Sequence, residues 1–199
     1  LELYPELVDL PIRVIYHGYN SNIFKVLPHI ERVGVNFLYV GSRSGYKNFH
    51  IMFEAFKVLW REGVPIKLIV ATGHPLTKAE ELSFRSDSIN VEFHFGLSDS
   101  ELCNLYNSCG VFIYPSLYEG FGISLLEAQV NGLKCFYSKS IPIDAIINID
   151  SEPIDINNFK NQKLIDYINI NKIGVRYFNF NNKYNIKYTF KTLQKIYQI

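Results

Sequence analysis

From Phe37 onward the chain alternates short apolar runs with segments of helical period, a rhythm that few folds accept. A strand buried on both faces reads as a continuous apolar run, and parallel strands need a crossover helix to carry the chain back between them. "NFLYVG", "IKLIVATG" and "GVFIYP" are such runs. Between the first two, Phe49, Met52, Phe53, Phe56, Leu59 and Trp60 recur at helical spacing, with Asn48 placed to cap the helix. "INVEFHFG" alternates instead, Val91, Phe93 and Phe95 against Glu92 and His94, as a strand near a sheet edge does. "SDSELCNLY" starts a helix with a capping box, Ser98 and Glu101 answering each other's backbone donors, and turns Leu102, Leu105 and Tyr106 inward. The helix after Gly122 stops at Gly132, ahead of a further strand at "KCFYS". The pattern predicts an α/β fold, a Rossmann-like doubly wound parallel sheet.

The 199 residues, 48% of them hydrophobic, suffice for one large domain with a packed core. A formal charge of +1 excludes a strongly basic nucleic-acid surface, and no run of Lys and Arg forms a polybasic membrane patch. Cys103, Cys109 and Cys135 are odd in number and lack metal-ligand spacing, so they read as reduced, buried thiols of a cytosolic protein. No apolar stretch approaches the ~20 residues of a membrane-spanning helix. The first residue is Leu rather than Met, which reads as a piece of a longer polypeptide. "IRVIYHGYN" reads as an entry strand or interdomain linker; "QKLIDYI" and "IKYTFKTLQKIYQI" read as helices among asparagine-rich loops.

In an open parallel sheet, ligands bind beyond the carboxyl ends of the strands. Four loops there carry polar or glycine-rich sequence: "GSRSGYKN", "ATGHP", "GLSD" and "PSLYEGFGIS". Arg43 and Lys47 flank Gly45, a pairing that suits a diphosphate as well as it suits two solvated surface cations. At the helix start, backbone N–H groups of Phe121, Gly122, Ile123 and Ser124 can point at a phosphate, although a plain turn needs the same glycine. Glu127, between Leu126 and Ala128, requires a partner in a partly apolar setting, and the vicinal hydroxyls of a ribose supply two donors. Its bland alternative is a helix-dipole contact worth only ~0.3–1 kcal/mol. His74 and His94 read as structural. No Asp-x-Asp pair follows a strand, so a metal holding the diphosphate is not suggested.

Three blocks in order, "FLYVGSRSGYKN", "FHFGLSDSELCNLYNSC" and "VFIYPSLYEGFGISLLEAQVNG", resemble the C-terminal domain of retaining glycosyltransferases of family 4, which have the GT-B fold. The resemblance runs from about Ile12 to Ser140. It divides the chain into residues 1–20 as interdomain linker or entry strand, 21–185 as the nucleotide-sugar-binding domain, and 186–199 as a helix crossing back to an absent N-terminal domain.

In that family two glutamates with seven residues between them bind the donor; here they are Glu119 and Glu127. The resemblance implies Glu127 on the ribose, Glu119 beside the donor sugar and its phosphate, and the amides of Phe121, Gly122 and Ile123 on the distal phosphate and sugar. It also implies Arg43 and Lys47 neutralising the diphosphate after Gly41, and the base against the backbone of Phe95, Gly96 and Leu97. The catalytic set is then Glu119, Lys47 and Arg43, with no metal and no cofactor. Two departures stand out: Ser42 intervenes, so that Arg43 comes one place later than in the family, and "IPIDAIINID" replaces a common Pro-Glu pair.

The implied function is hexose transfer from a nucleotide-diphospho-sugar to a glycan or lipid-linked acceptor, in bacterial surface polysaccharide synthesis. It would take place in the cytoplasm, with at most peripheral contact at the inner membrane face. The alternatives are a non-catalytic nucleotide-sugar-binding module, or one subunit of a split enzyme. An unrelated flavodoxin-type protein would need a phosphate loop after its first strand and leaves Glu127 unexplained.

Overall fold

The structure, a computed structural model, describes residues 17–84, 89–141 and 151–155, together with Leu164 and Ile168. The elements run β1 (Val33–Val40), α1 (Phe49–Arg61), β2 (Lys67–Thr72), α2 (Lys78–Phe84), β3 (Val91–Phe95), α3 (Asp99–Ser108), β4 (Cys109–Tyr114), α4 (Ile123–Val130), β5 (Lys134–Ser138) and β6 (Glu152–Ile154). All described strand pairings are parallel, in the order β3-β2-β1-β4-β5-β6. β3 lies at one edge, as its alternation predicts. The short β6 at the other edge has no counterpart in the sequence reading. Most of the entry strand, with the helix over 186–199, lies outside the described residues; of "QKLIDYI", Leu164 and Ile168 are described as helical and buried.

Two apolar layers cover the sheet, because successive strand residues point to opposite faces. Phe37, Tyr39, Val111 and Ile113 meet the stripe of α1, in which all six predicted residues are buried. Leu38, Phe112 and Tyr114 meet α3 and α4 through Cys103, Tyr106, Leu125 and Leu126. Each large apolar side chain removed from water contributes about 1.5–3 kcal/mol. In the first layer Phe53 lies edge-on to Phe84, centroids 4.6 Å apart, and the Trp60 indole donates to the Ile66 carbonyl at 2.9 Å, so the large ring is buried without stranding its N–H.

One helix start differs from its prediction. Asn48 does precede α1, but in a left-handed conformation with φ 55°, and its side chain makes no cap. Its amide donates instead to the Pro115 carbonyl at 3.3 Å, in the loop after β4. The capping box of α3 is as predicted: the Ser98 hydroxyl accepts from the Glu101 N–H, and the Glu101 carboxylate accepts from the Ser98 N–H at 2.8 Å.

β1 and β4, adjacent in space though distant in sequence, lie unusually close where the register shifts between Val33 and Phe37. A β-carbon on Gly110 would stand 2.4 Å from the Gly34 carbonyl oxygen, which only glycine avoids. Gly110→Ala should therefore destabilise the fold by about 1–3 kcal/mol or more, the usual cost of forced overpacking. Gly120→Ala, where an added carbon meets nothing within 4 Å, serves as the control. Urea denaturation of the two variants measures the contrast.

Candidate functional site

The loops after β1 and β4 are stitched together. Gly45–Lys47 forms a single 3₁₀ turn, and its Tyr46 carbonyl accepts from the Leu117 N–H at 2.8 Å. With the Asn48–Pro115 bond, this holds Lys47 over the start of the β4–α4 loop, where its ammonium donates to Glu119 at 2.6 Å. Both side chains are largely shielded, 18% and 9% exposed. Pairing is what allows either charge to stay there.

The chain then turns through Gly122, whose φ of 87° suits glycine, into α4. No side chain caps α4. The first amides of a helix have no partner within it, so this end is a ready donor set for an anion. One turn further, Glu127 projects from α4 beside the Tyr106 hydroxyl, 3.2 Å away. Burial pushes the Glu127 carboxyl up to about 7, opposed by the Tyr106 hydrogen bond and reinforced by the charge of Asp99.

These groups share one cavity of about 580 Å³, lined by Gly41, Lys47, Glu119, Phe121, Gly122, Ile123, Ser124 and Glu127, with His17, Val40, Tyr114 and Gly120. The Tyr114 hydroxyl is buried beside Glu119 and Ser124 without a hydrogen bond of good geometry, leaving a polar atom that a ligand hydroxyl or phosphate could satisfy. A second cavity of about 300 Å³ adjoins at Val40 and Gly41 and is lined also by Thr72, Gly73, Gly96, Leu97 and Leu102. Together they form a cleft beyond the carboxyl ends of β1 to β4, where the strand order reverses, the place for ligands in this architecture.

Eight of the predicted residues thus converge, with Gly96 and Leu97 next door. Arg43 and Phe95 line neither cavity. Arg43, expected at the diphosphate, instead directs its guanidinium at α2 and the loop after β2. Nε and Nη2 grip the Glu80 carboxylate at 2.8 and 3.0 Å, while Nη1 and Nη2 donate to the carbonyls of His74 and Pro75 at 2.7 and 2.9 Å. Thr72 accepts from Nη1 at 3.3 Å, so all five donors are engaged. The hydrogen bonds from Arg43 hold Glu80 far down, to about 2. Ser42 stands between Gly41 and this arginine.

Phe95 lies parallel to Phe93, centroids 6.3 Å apart, at the sheet edge. His74 contributes only a carbonyl, and His94 pairs with Glu92 at 2.7 Å. Sequence reasoning missed His17 and Tyr114. His17 sits edge-on to Phe121, centroids 5.5 Å apart, and the glycine turn in "YHGYN" was its signal. Among the described residues, no three His, Cys, Asp or Glu side chains could hold a metal ion together, and no helix is long and apolar enough to cross a membrane.

The family model for glycosyl transferases group 1 matches residues 31–168, which include the whole cleft apart from His17. The chain belongs to the group 1 glycosyl transferases. It is 31% identical over 117 residues to a putative glycosyltransferase, EpsF, of Bacillus subtilis (strain 168), covering 55% of this chain and 30% of that one. It is 29% identical over 133 residues to the O-antigen chain mannosyltransferase RfbU of Salmonella typhimurium, covering 66% and 36%. The chain thus spans about a third of the length of these curated relatives.

Among solved structures, the C-terminal domain of a group 1 glycosyl transferase (LpcC) from Francisella tularensis superposes with a TM-score of 0.62 at 16% identity, covering 90% of this chain and 98% of that domain. Sucrose-phosphate synthase from Thermosynechococcus elongatus gives 0.65 at 18% identity, covering 99% and 55%. The fold is therefore Rossmann-like, of the kind found in GT-B glycosyltransferases.

Glu127 gives the site a pH signature. Its carboxyl titrates higher in the folded protein than the ordinary 4.5, so the folded state binds the extra proton, and stability falls as pH rises from about 4.5 through about 7. Glu127→Gln should remove that slope, worth on the order of 3 kcal/mol across the window. Denaturant midpoints of both proteins between pH 4.5 and 8 would show it.

Proposed function

We propose that this domain is the donor-binding half of a retaining glycosyltransferase of family 4, taking a hexose from a nucleotide-diphospho-sugar. The observation that carries the reading is the convergence of Lys47, Glu119, the uncapped start of α4 and Glu127 on one cavity at the switch point of the sheet. Glu127 fits the ribose diol, the amides at Ile123 and Ser124 fit the distal phosphate, and Glu119 fits the sugar. The base fits the adjoining cavity at Gly96 and Leu97.

Charge on the departing diphosphate is met by Lys47 and the helix amides, a donor set that works without a metal. Each such preorganised donor is worth about a hundredfold to a thousandfold in rate. Arg43 serves this site by bracing the loop that carries Lys47.

The relative that carries an O-antigen name supports an acceptor that is a glycan or lipid-linked sugar of the bacterial surface, built on the cytoplasmic side of the membrane. In GT-B enzymes the acceptor is held largely by the other domain. A nucleotide-sugar-binding subunit of a split enzyme would share the same donor contacts.

Calorimetry with UDP, GDP, ADP and their sugars tests the reading. One diphosphate should bind in the presence of EDTA, and the isolated 199-residue chain should transfer little or no sugar. Glu127→Ala should weaken the bare diphosphate by about 1.5–3 kcal/mol for each charge-assisted hydrogen bond lost. Glu119→Ala should leave that affinity within a few-fold and reduce the preference for the intact sugar nucleotide. Equal losses for both ligands in both variants would contradict the assignment. Lys47→Ala should cost at least tenfold in diphosphate affinity, whereas Arg43→Ala should lower the melting temperature more than the affinity.

A further inference from the structure

We infer that Tyr106 is a positioning residue for the donor site, its hydroxyl holding Glu127 as an oriented carboxylate and tying the first turn of α4 to α3. The inference rests on the reading of Glu127 as the ribose contact. By its spacing Tyr106 is one more inward residue of an amphipathic helix, and its ring is indeed buried in the core, edge-on to Phe24 with centroids 6.2 Å apart. A core position alone would be served as well by phenylalanine. The hydroxyl is placed instead between two acceptors on α4, 3.2 Å from Glu127 Oε2 and 3.1 Å from the Ser124 carbonyl oxygen.

Those two acceptors belong to the two functional parts of the helix. Ser124 lies in the amide-bearing first turn that faces the cavity, and Glu127 lines the cavity one turn on. A single O–H therefore sets the depth and rotation of both relative to the sheet. It leaves Glu127 Oε1 and the remaining lone pairs of Oε2 for a ligand's hydroxyls.

The other titratable or charged groups around Glu127 do not replace it. Asp99, on α3, opposes the charge on Glu127, Lys47 is engaged with Glu119, His17 and Tyr114 line the same cavity, and α4 has no other charged residue. Burial favours the protonated acid, and the Tyr106 hydrogen bond is what favours the carboxylate.

Tyr106→Phe deletes the hydroxyl and keeps the ring. In the full 199-residue chain, the Glu127 carboxyl followed by ¹³C NMR should titrate at higher pH in this variant than in the wild type. Affinity for the best-binding of UDP, GDP and ADP should fall about tenfold at pH 7 and recover in part at pH 8.5. Replacing Tyr106 alone with 3-fluorotyrosine, a stronger donor of nearly the same shape, should move the Glu127 midpoint the opposite way. A purely packing role would move neither midpoint.

An unchanged Glu127 titration in both folded variants overturns the inference. Should none of the diphosphates bind while the midpoints still move in opposite directions, the hold of Tyr106 on Glu127 stands and the nucleotide-sugar reading falls.

Discussion

The parallel pairing of β1 with β4 is the constraint on which the rest of this domain depends. The chain leaves β1 toward one face of the sheet and reaches β4 only after crossing to the other, so the loops beyond these two strands diverge and leave a cleft between them. The strands can sit side by side because Gly34 and Gly110 meet without side chains. At the amino ends of the same strands, buried Arg32 clamps the closure, donating to the Cys109 and Asn131 carbonyls at 2.8 and 2.6 Å. Those two acceptors are the start of β4 and the end of α4. A guanidinium at the base of the sheet therefore fixes the helix whose other end opens, without a side-chain cap, on the cleft.

The cleft itself is built by a few long-range polar contacts laid over that frame. Tyr46 to Leu117, Asn48 to Pro115 and Lys47 to Glu119 join two loops that are about seventy residues apart in sequence. None of the three is large in energy. Their effect is to remove freedom from the loop that carries the cation, so that its position is set before any ligand arrives.

Much of this was legible in the sequence, and what was missed shares a physical cause. The apolar stripe of α1, the edge character of β3 and the capping box of α3 are local patterns, complete within a few residues, and each is found where the periodicity puts it. The converging residues around Glu119 and Glu127 were legible because strand ends, a glycine and two acids occur at a recognisable spacing. Arg43 was not legible, since its partner Glu80 is 37 residues away. Asn48 follows a capping pattern yet spends its amide on Pro115, 67 residues distant. The role of the Tyr106 hydroxyl was hidden by helical periodicity, which sees the ring and is blind to the oxygen.

The ion pair of Lys47 and Glu119 has a consequence for what kind of event binding is. In the ligand-free domain the ammonium already has its counter-ion, supplied by the protein and shielded from salt. On the proposed reading, an arriving diphosphate would meet a cation that is already paired and would share Lys47 with Glu119. On the same reading a sugar would offer Glu119 hydroxyl donors, and the pair would act as an ion exchanger selective for the sugar-bearing anion.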